Sequence, residues 1–189
     1  MKTEFECRFI DIDAAAVRAK LSEQGFAIVE PERLMRRKVF MLPDKDNVQR
    51  WLRLRDQGDK TTLTFKLKGD ISQGAASMKE IECVVEDFGL MGELLAAADL
   101  KCAVYEENSR EKWAKENVEV CLDTWPELDT FAEIEADSEA AVKKAASELG
   151  FDWNEAMFGN VMEVYKKKLG LDTAQMHERW AKKWADKLK

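Results

Sequence analysis

The chain has 189 residues, of which 46% are apolar and 35% charged, with three prolines and a formal net charge of -7. That is enough to bury one core without disulfides or a structural metal, and too rich in apolar residues for a disordered chain. The acidic balance argues against a general nucleic-acid or membrane-surface binder. Cys7, Cys83, Cys102 and Cys121 show no CxxC spacing, so zinc is not expected. Cys7, Cys83 and Cys121 are expected as buried free thiols on apolar strand faces. No apolar run reaches the length of a membrane span, and Met1-Lys2-Thr3-Glu4 leads into a strand without an apolar leader. The expectation is a cytoplasmic protein with no membrane or nucleic-acid partner, as a monomer or a homodimer.

In chain order, Glu4-Phe5-Glu6-Cys7-Arg8-Phe9 alternates, with Glu4, Glu6 and Arg8 on one face and Phe5, Cys7 and Phe9 on the other. A helix is predicted over 14–24, with Asp13 as N-cap, Val17 and Leu21 on one face, and Gly25 closing it. A short apolar run, 26–30, stops before Pro31; a strand over 34–42 is ended by Pro43-Asp44 and a polar turn to Asn47. Trp51-Leu52-Arg53-Leu54-Arg55 and 62–68 alternate strictly around a turn containing Gly58. After a loop with Gly69, Ser72, Gly74 and Ser77, residues 79–85 alternate again. Residues 86–100 read as a helix with Leu90, Leu94 and Leu95 inward. Strands are predicted over 104–113, 118–125 and 131–136. Helices are predicted over 139–149, opened by Ser138, and 153–169, with an amphipathic tail over 172–189 carrying Met176, Trp180 and Trp184.

The strands share one feature: an aliphatic face and a face bearing charges in short runs of one sign. Glu4 and Glu6, Glu80 and Glu82, Glu119 and Asp123, and Glu133 and Glu135 are acidic; Arg8, Arg37, Arg53, Arg55, Lys66, Lys68 and Arg110 are basic. Like charges at i and i+2 repel, and a solvated sheet face normally interleaves its signs. An open sheet with one wet face explains any single strand, but the repetition favours a closed antiparallel barrel with charged faces inward and helices packed outside. A charged interior needs water and a ligand of matching charge. Clustered Arg and Lys call for a polyanion; clustered carboxylates with no histidine but His177 call for Mg²⁺ or Mn²⁺. No glycine-rich phosphate loop and no HExxH is present, so phosphate binding would rest on side chains.

Glu4-Phe5-Glu6-Cys7-Arg8 resembles the ExExK signature of CYTH proteins, the triphosphate tunnel metalloenzymes, with Arg for the usual Lys. The resemblance continues in family order to about Leu169 through Arg53 and Arg55, Lys66, Glu80 and Glu82, Arg110, Asp123 and Phe131-Ala132-Glu133-Ile134-Glu135. It implies an α+β fold built on a closed eight-stranded antiparallel barrel, or tunnel, over residues 1–170, with 171–189 as a helical extension. It implies Glu4, Glu6, Asp123, Glu133 and Glu135 as ligands of Mg²⁺ or Mn²⁺. Arg8, Arg37, Arg53, Arg55, Lys66 and Arg110 would line the phosphate path, and Glu80 and Glu82 would form a second acidic pair. Glu4, Glu6, Arg8 and Glu133 are the expected catalytic group. The implied activity is hydrolysis of a small-molecule triphosphate. The alternatives are a class IV adenylyl cyclase or a binding module without turnover. Asn108 stands where several cyclase-type members carry a basic residue, which weighs against cyclisation.

Overall fold

The computed structural model describes residues 2–45, 48–68 and 78–187, without the side chains of Lys2, Glu4, Asp44, Lys45, Val48 and Met78. The expected loop with Gly69, Ser72, Gly74 and Ser77, and the turn residue Asn47, lie outside the described residues. The fold is α+β, with eight antiparallel strands in one strongly curled sheet. The strands are β1 (Lys2–Phe9), β2 (Ala27–Lys45), β3 (Val48–Asp56), β4 (Thr61–Lys68), β5 (Met78–Val85), β6 (Cys102–Lys115), β7 (Val118–Thr124) and β8 (Phe131–Ala136). The helices are α1 (Ala14–Glu23), α2 (Phe88–Ala97), α3 (Glu139–Glu148), α4 (Val161–Leu169) and α5 (Thr173–Lys183). Pairing runs β1-β5-β4-β3-β2-β6-β7-β8, and β1 meets β8 from Phe5↔Ala136 to Phe9↔Ala132 as well as β5 from Lys2↔Glu80 to Glu4↔Met78. Among the described residues no helix is long and apolar enough to cross a membrane.

Period two places the outward side chains under helices. Cys7, Phe9, Val120, Leu122, Ala132 and Ile134 bury against Val17 and Leu21 of α1 and Val142, Ala145 and Ala146 of α3. Asp13 caps α1 by accepting from the Ala15 and Ala16 amides, and Ser138 caps α3 through the Ala141 amide. Each such cap contributes about 1 kcal/mol. α2 covers Phe40 and Leu54 with Phe88, Met91 and Leu95. Gly92 completes that stripe, since a Cβ there would lie 3.4 Å from Lys38 Nζ. Leu90 and Leu94, expected inward, are 66% and 56% exposed. The stripe at i, i+3, i+4 and i+7 starts from Phe88, which leaves them on the far side.

Three other expectations are corrected. β2 does not break at Pro31 but runs on to Lys45, with register shifts against β6 on either side of Glu30. Its first half pairs with β6 alone, β3 joining only at Arg36, so the amide missing at Pro31 leaves no described ladder position unfilled. The helix predicted over 153–169 is instead a 3-10 turn, Trp153–Glu155, then a two-bond bridge between Met157 and Arg8, then α4. Gly159, at φ 98°, and the N-cap Asn160 delay the helix until Val161.

The third concerns the helices. α4 and α5 do not lie outside the sheet as α1, α2 and α3 do. Met162, Val164, Tyr165, Met176 and Trp180 bury against Val39, Val104, Trp125 and Phe131. Val39, Trp125 and Phe131 also line the interior cavity, so these two helices sit at one end of it. Trp180 is 1% exposed, stacked at 5.9 Å on Trp125 and edge-on at 5.2 Å to Tyr165. A capping box between Asp172 and Gln175 starts α5.

Candidate functional site

The curled sheet encloses a cavity of about 410 Å³. Glu6, Arg8, Arg37, Arg53, Arg55, Lys66, Glu80, Glu82, Arg110, Asp123, Glu133 and Glu135 all line it. The backbone of Glu4 lies in β1, two residues before Glu6, and its side chain is outside the described set. The charged faces read from the sequence therefore point inward. Arg53 and Lys66 side chains are only 14% and 9% exposed, which rules out an open wet face.

Acidic and basic side chains meet at β1, β6, β7 and β8. Arg110 forks onto Asp123, with Nε donating at 2.7 Å and Nη2 at 2.5 Å, and Nη2 also reaches Glu133 at 3.0 Å. Arg8 pairs with Glu133 at 2.5 Å and Glu6 at 3.2 Å, and its Nη1 donates to the Gly159 carbonyl. Burial alone would raise the Glu133 carboxyl, but Arg8, then Arg110 and Lys66, outweigh it and hold it well below the usual carboxylate range. The same pairing overcomes burial for Arg8 and Arg110, whose guanidinium ions are held more firmly than usual.

The opposite wall, on β2 and β3, has too little negative charge for its arginines. Arg37 and Arg55 are directly opposed in the ladder. Burial first, with Arg53 and Arg110 adding repulsion, brings Arg37 down to about 10 against the pull of Glu106. Arg55 is lowered well below its ordinary value by burial, then Arg53, Arg110 and Arg37. Among the described residues, the buried Nε donors of Arg8, Arg37, Arg53 and Arg55 have no hydrogen-bond partner. Glu82 offsets part of this, at 3.6 Å from Arg53 and 3.7 Å from Arg55, and Glu80 lies 3.4 Å from Lys66. Crowded arginines with unused donors form a surface complementary to a polyanion.

The acidic wall gathers like charge. Glu6, Glu135 and Glu119 stand side by side across β1, β8 and β7. Lys112 reaches Glu119 at 3.0 Å. Such an all-oxygen donor row suits a hard divalent cation in its chemistry. Among the described residues no three acidic, His or Cys side chains converge into a ready-made ion site. Asp123 and Glu133 are instead turned onto Arg110 and Arg8, and Glu6 onto Arg8.

Several lining residues went unread in the sequence. Glu106, four residues back from Arg110 along β6, is one of them; Asn108 between the two, already singled out for its lack of charge, is buried as well. Asn108 accepts from Arg37 Nη2 and donates to Asp123 Oδ1 at 3.0 Å, tying the basic wall to the acidic one. Glu106 Oε2 lies 3.9 Å from Arg37 Nε. Cys121 is a correction: it shares its face with Glu119 and Asp123 and lines the cavity, where burial pushes its thiol up to about 12. Cys83 does lie on the apolar face of β5, but exposed. Thr173 and His177 of α5 also line the cavity, and no strand pattern could have found them.

Glu106 sets a measurable pH dependence. Burial raises its carboxyl from 4.5 to about 6, more than Arg37 and Arg53 lower it. A raised carboxyl favours the fold below its unfolded value, and that contribution is lost as pH rises through about 6. The span corresponds to about 2 kcal/mol. Urea unfolding of wild type and Glu106→Gln between pH 4.5 and 7.5 should show wild type losing about that much stability relative to the variant. A pH-independent difference would contradict a desolvated Glu106.

An eight-stranded antiparallel sheet curled around a cavity of segregated charge defines the class of protein. A family model described as CYTH domain matches residues 2–164, and the chain belongs to the CYTH family. Members of that family are triphosphatases or adenylyl cyclases, bind triphosphate substrates and are typically metal-dependent. The fold is similar to that of the PH1012 protein from Pyrococcus horikoshii OT3, with TM-score 0.68 and 19% identity over 82% of this chain and 94% of that one. A "putative adenylate cyclase" from Vibrio parahaemolyticus gives TM-score 0.68 and 11% identity over 87% and 98% of the two chains. HpAC1 from Hippeastrum, described as a "putative adenylyl cyclase" with a dominant triphosphatase activity, gives TM-score 0.51 and 12% identity over 90% and 96%. No curated protein matches the sequence.

Proposed function

We propose that this protein hydrolyses a triphosphate in a metal-dependent reaction, within a tunnel closed by the pairing of β1 to both β5 and β8. The observation that carries this reading is the arginine wall, where buried guanidinium groups face one another with unused donors. Arg37, Arg53, Arg55 and Lys66 would bind the phosphate chain, and Glu80 and Glu82 would orient Lys66 and the two arginines rather than meet the substrate. Arg8 and Arg110 occupy the junction between the walls. A phosphate group arriving there competes with Glu6, Asp123 and Glu133 for both guanidinium forks. As the forks turn to phosphate oxygens, Asp123 and Glu133 would be released towards Mg²⁺ or Mn²⁺, which Glu4, Glu6 and Glu135 would help to hold.

When bound, that cation supplies charge neutralisation and a water of lowered pKa. The protein's own part is positional and electrostatic. The basic wall holds the leaving diphosphate, while Arg8 and Arg110 meet the charge spread over the oxygens of the transferred phosphoryl group. The water oxygen bonds to the terminal phosphorus as the bond to the bridging oxygen breaks, with no covalent protein intermediate required. Cyclisation of ATP is the second reading, raised by the neighbours' descriptions. Asn108 favours hydrolysis, because that position supplies no cation and is committed to Arg37 and Asp123. Incubation with ATP and Mg²⁺ or Mn²⁺ should release ADP and orthophosphate. Cyclic AMP with pyrophosphate as the products would overturn the hydrolase reading.

A further inference from the structure

The cavity changes character along its length. On β2 and β3 the inward pairs run from Arg37 opposite Arg55, through Val39 opposite Arg53, to Met41 opposite Trp51. Trp51 packs against the cluster that α4 and α5 build with Val161 and Met162. This end is completed by α5, which contributes Thr173 and His177 and lies beyond the stretch matched to the family. Lys68, also lining the cavity, is paired with Glu163 of α4 at 3.6 Å.

His177 is the chain's single histidine. Its ring stacks on Trp180 at 6.3 Å and makes no hydrogen bond among the described residues. Burial lowers its pKa, so the ring is a neutral imidazole with one donor and one acceptor at neutral pH. A bare polyphosphate presents anionic oxygens along its whole length and gains little from a wall of Trp51, Met41, Met162, Thr173 and neutral His177. A cavity of about 410 Å³ falls in the range that encloses a whole organic ligand, roughly 300–1,000 Å³.

We infer that Thr173 and His177 are specificity-determining residues, which contact a neutral, planar heterocyclic group carried beyond the phosphates of an organic triphosphate. The inference rests on the triphosphatase reading and refines it: the basic wall takes the phosphates, and α5 with Trp51 takes the organic end. Trp180, locked between Trp125 and Tyr165, holds the His177 ring in place.

ATP and inorganic tripolyphosphate are the two probes, compared in wild type, His177→Ala, His177→Gln and Thr173→Val. The readout is the ratio of kcat/KM for ATP to that for tripolyphosphate, which loss of folded protein does not move. The ratio should fall about tenfold in His177→Ala, chiefly through KM, with partial recovery in His177→Gln and a smaller fall in Thr173→Val. A ratio within twofold of wild type in all three variants overturns the inference. So does a wild type that hydrolyses tripolyphosphate and neither binds nor hydrolyses ATP, an outcome that leaves the triphosphatase reading standing. If wild type hydrolyses neither probe, the triphosphatase reading fails. The ratio of calorimetric Kd values then takes over: it should shift by the same factor in His177→Ala, and a constant ratio overturns the inference.

Discussion

Replacing Glu133 by Gln is expected to lower metal-dependent phosphate release from tripolyphosphate by about 10²–10³-fold. The substitution keeps the shape and removes one charge from the point where the two walls meet. Glu133 accepts from Arg110 at 3.0 Å and from Arg8 at 2.5 Å, and stands opposite Arg8 and Cys121 in the sheet. Its carboxyl is held well below the usual range, so it is ionised at every pH at which the protein would be assayed. In Glu133→Gln the proposed cation site would lose an anionic oxygen ligand, and both guanidinium groups lose the carboxylate that they pair with. The stability cost follows the same sign. A depressed carboxyl stabilises the fold above its unfolded pKa and stops doing so as the pH falls through the folded one. Melting temperature at pH 7 should therefore fall in the variant, while tripolyphosphate still raises it through the basic wall. Turnover within threefold of wild type would remove Glu133 from the machinery.

The largest effect on stability is expected at Trp180. Truncation to Ala should cost about 3–5 kcal/mol, the range for a fully buried aromatic side chain. For a chain of this size that lowers Tm by roughly 10 °C. Trp180 touches Trp125, Tyr165, Trp184 and His177 within one cluster. Trp125 in turn carries Arg37 over its ring at 4.6 Å. The loss therefore reaches the arginine wall as well as α5, and KM for any triphosphate should rise. Calorimetry and steady-state kinetics measure the two consequences. A Tm change below about 2 °C would mean that α5 is not docked on the sheet's interior end.

The sheet was legible because strands announce their faces one residue at a time. Trp51 to Arg55 and Thr62 to Lys68 alternate without interruption, and the sign runs told which face was enclosed. Glu106 was legible by the same rule, two steps back from Asn108 and four from Arg110, yet a lone acid in a basic neighbourhood drew no attention. Cys121 departs from what its residue type suggests: thiols are commonly core residues, but its neighbours at 119 and 123 are both inward acids. Pro31 misled because a proline stops a strand only where its amide is required. Leu90 and Leu94 misled because a run of leucines does not say which stripe docks; Phe88 and Gly92 decided that. The contribution of α5 had no local signal. Met176 and Trp180 marked a packing stripe, but placing His177 in the cavity depends on where that stripe docks, which is a property of the folded chain.

The most direct measurement is orthophosphate release from inorganic tripolyphosphate by the purified full chain, with Mg²⁺, with Mn²⁺ and with excess EDTA. Release with either cation, abolished by EDTA and restored by adding the cation back, is the predicted result. Release that is indifferent to EDTA, or tight tripolyphosphate binding without release under either cation, would contradict it.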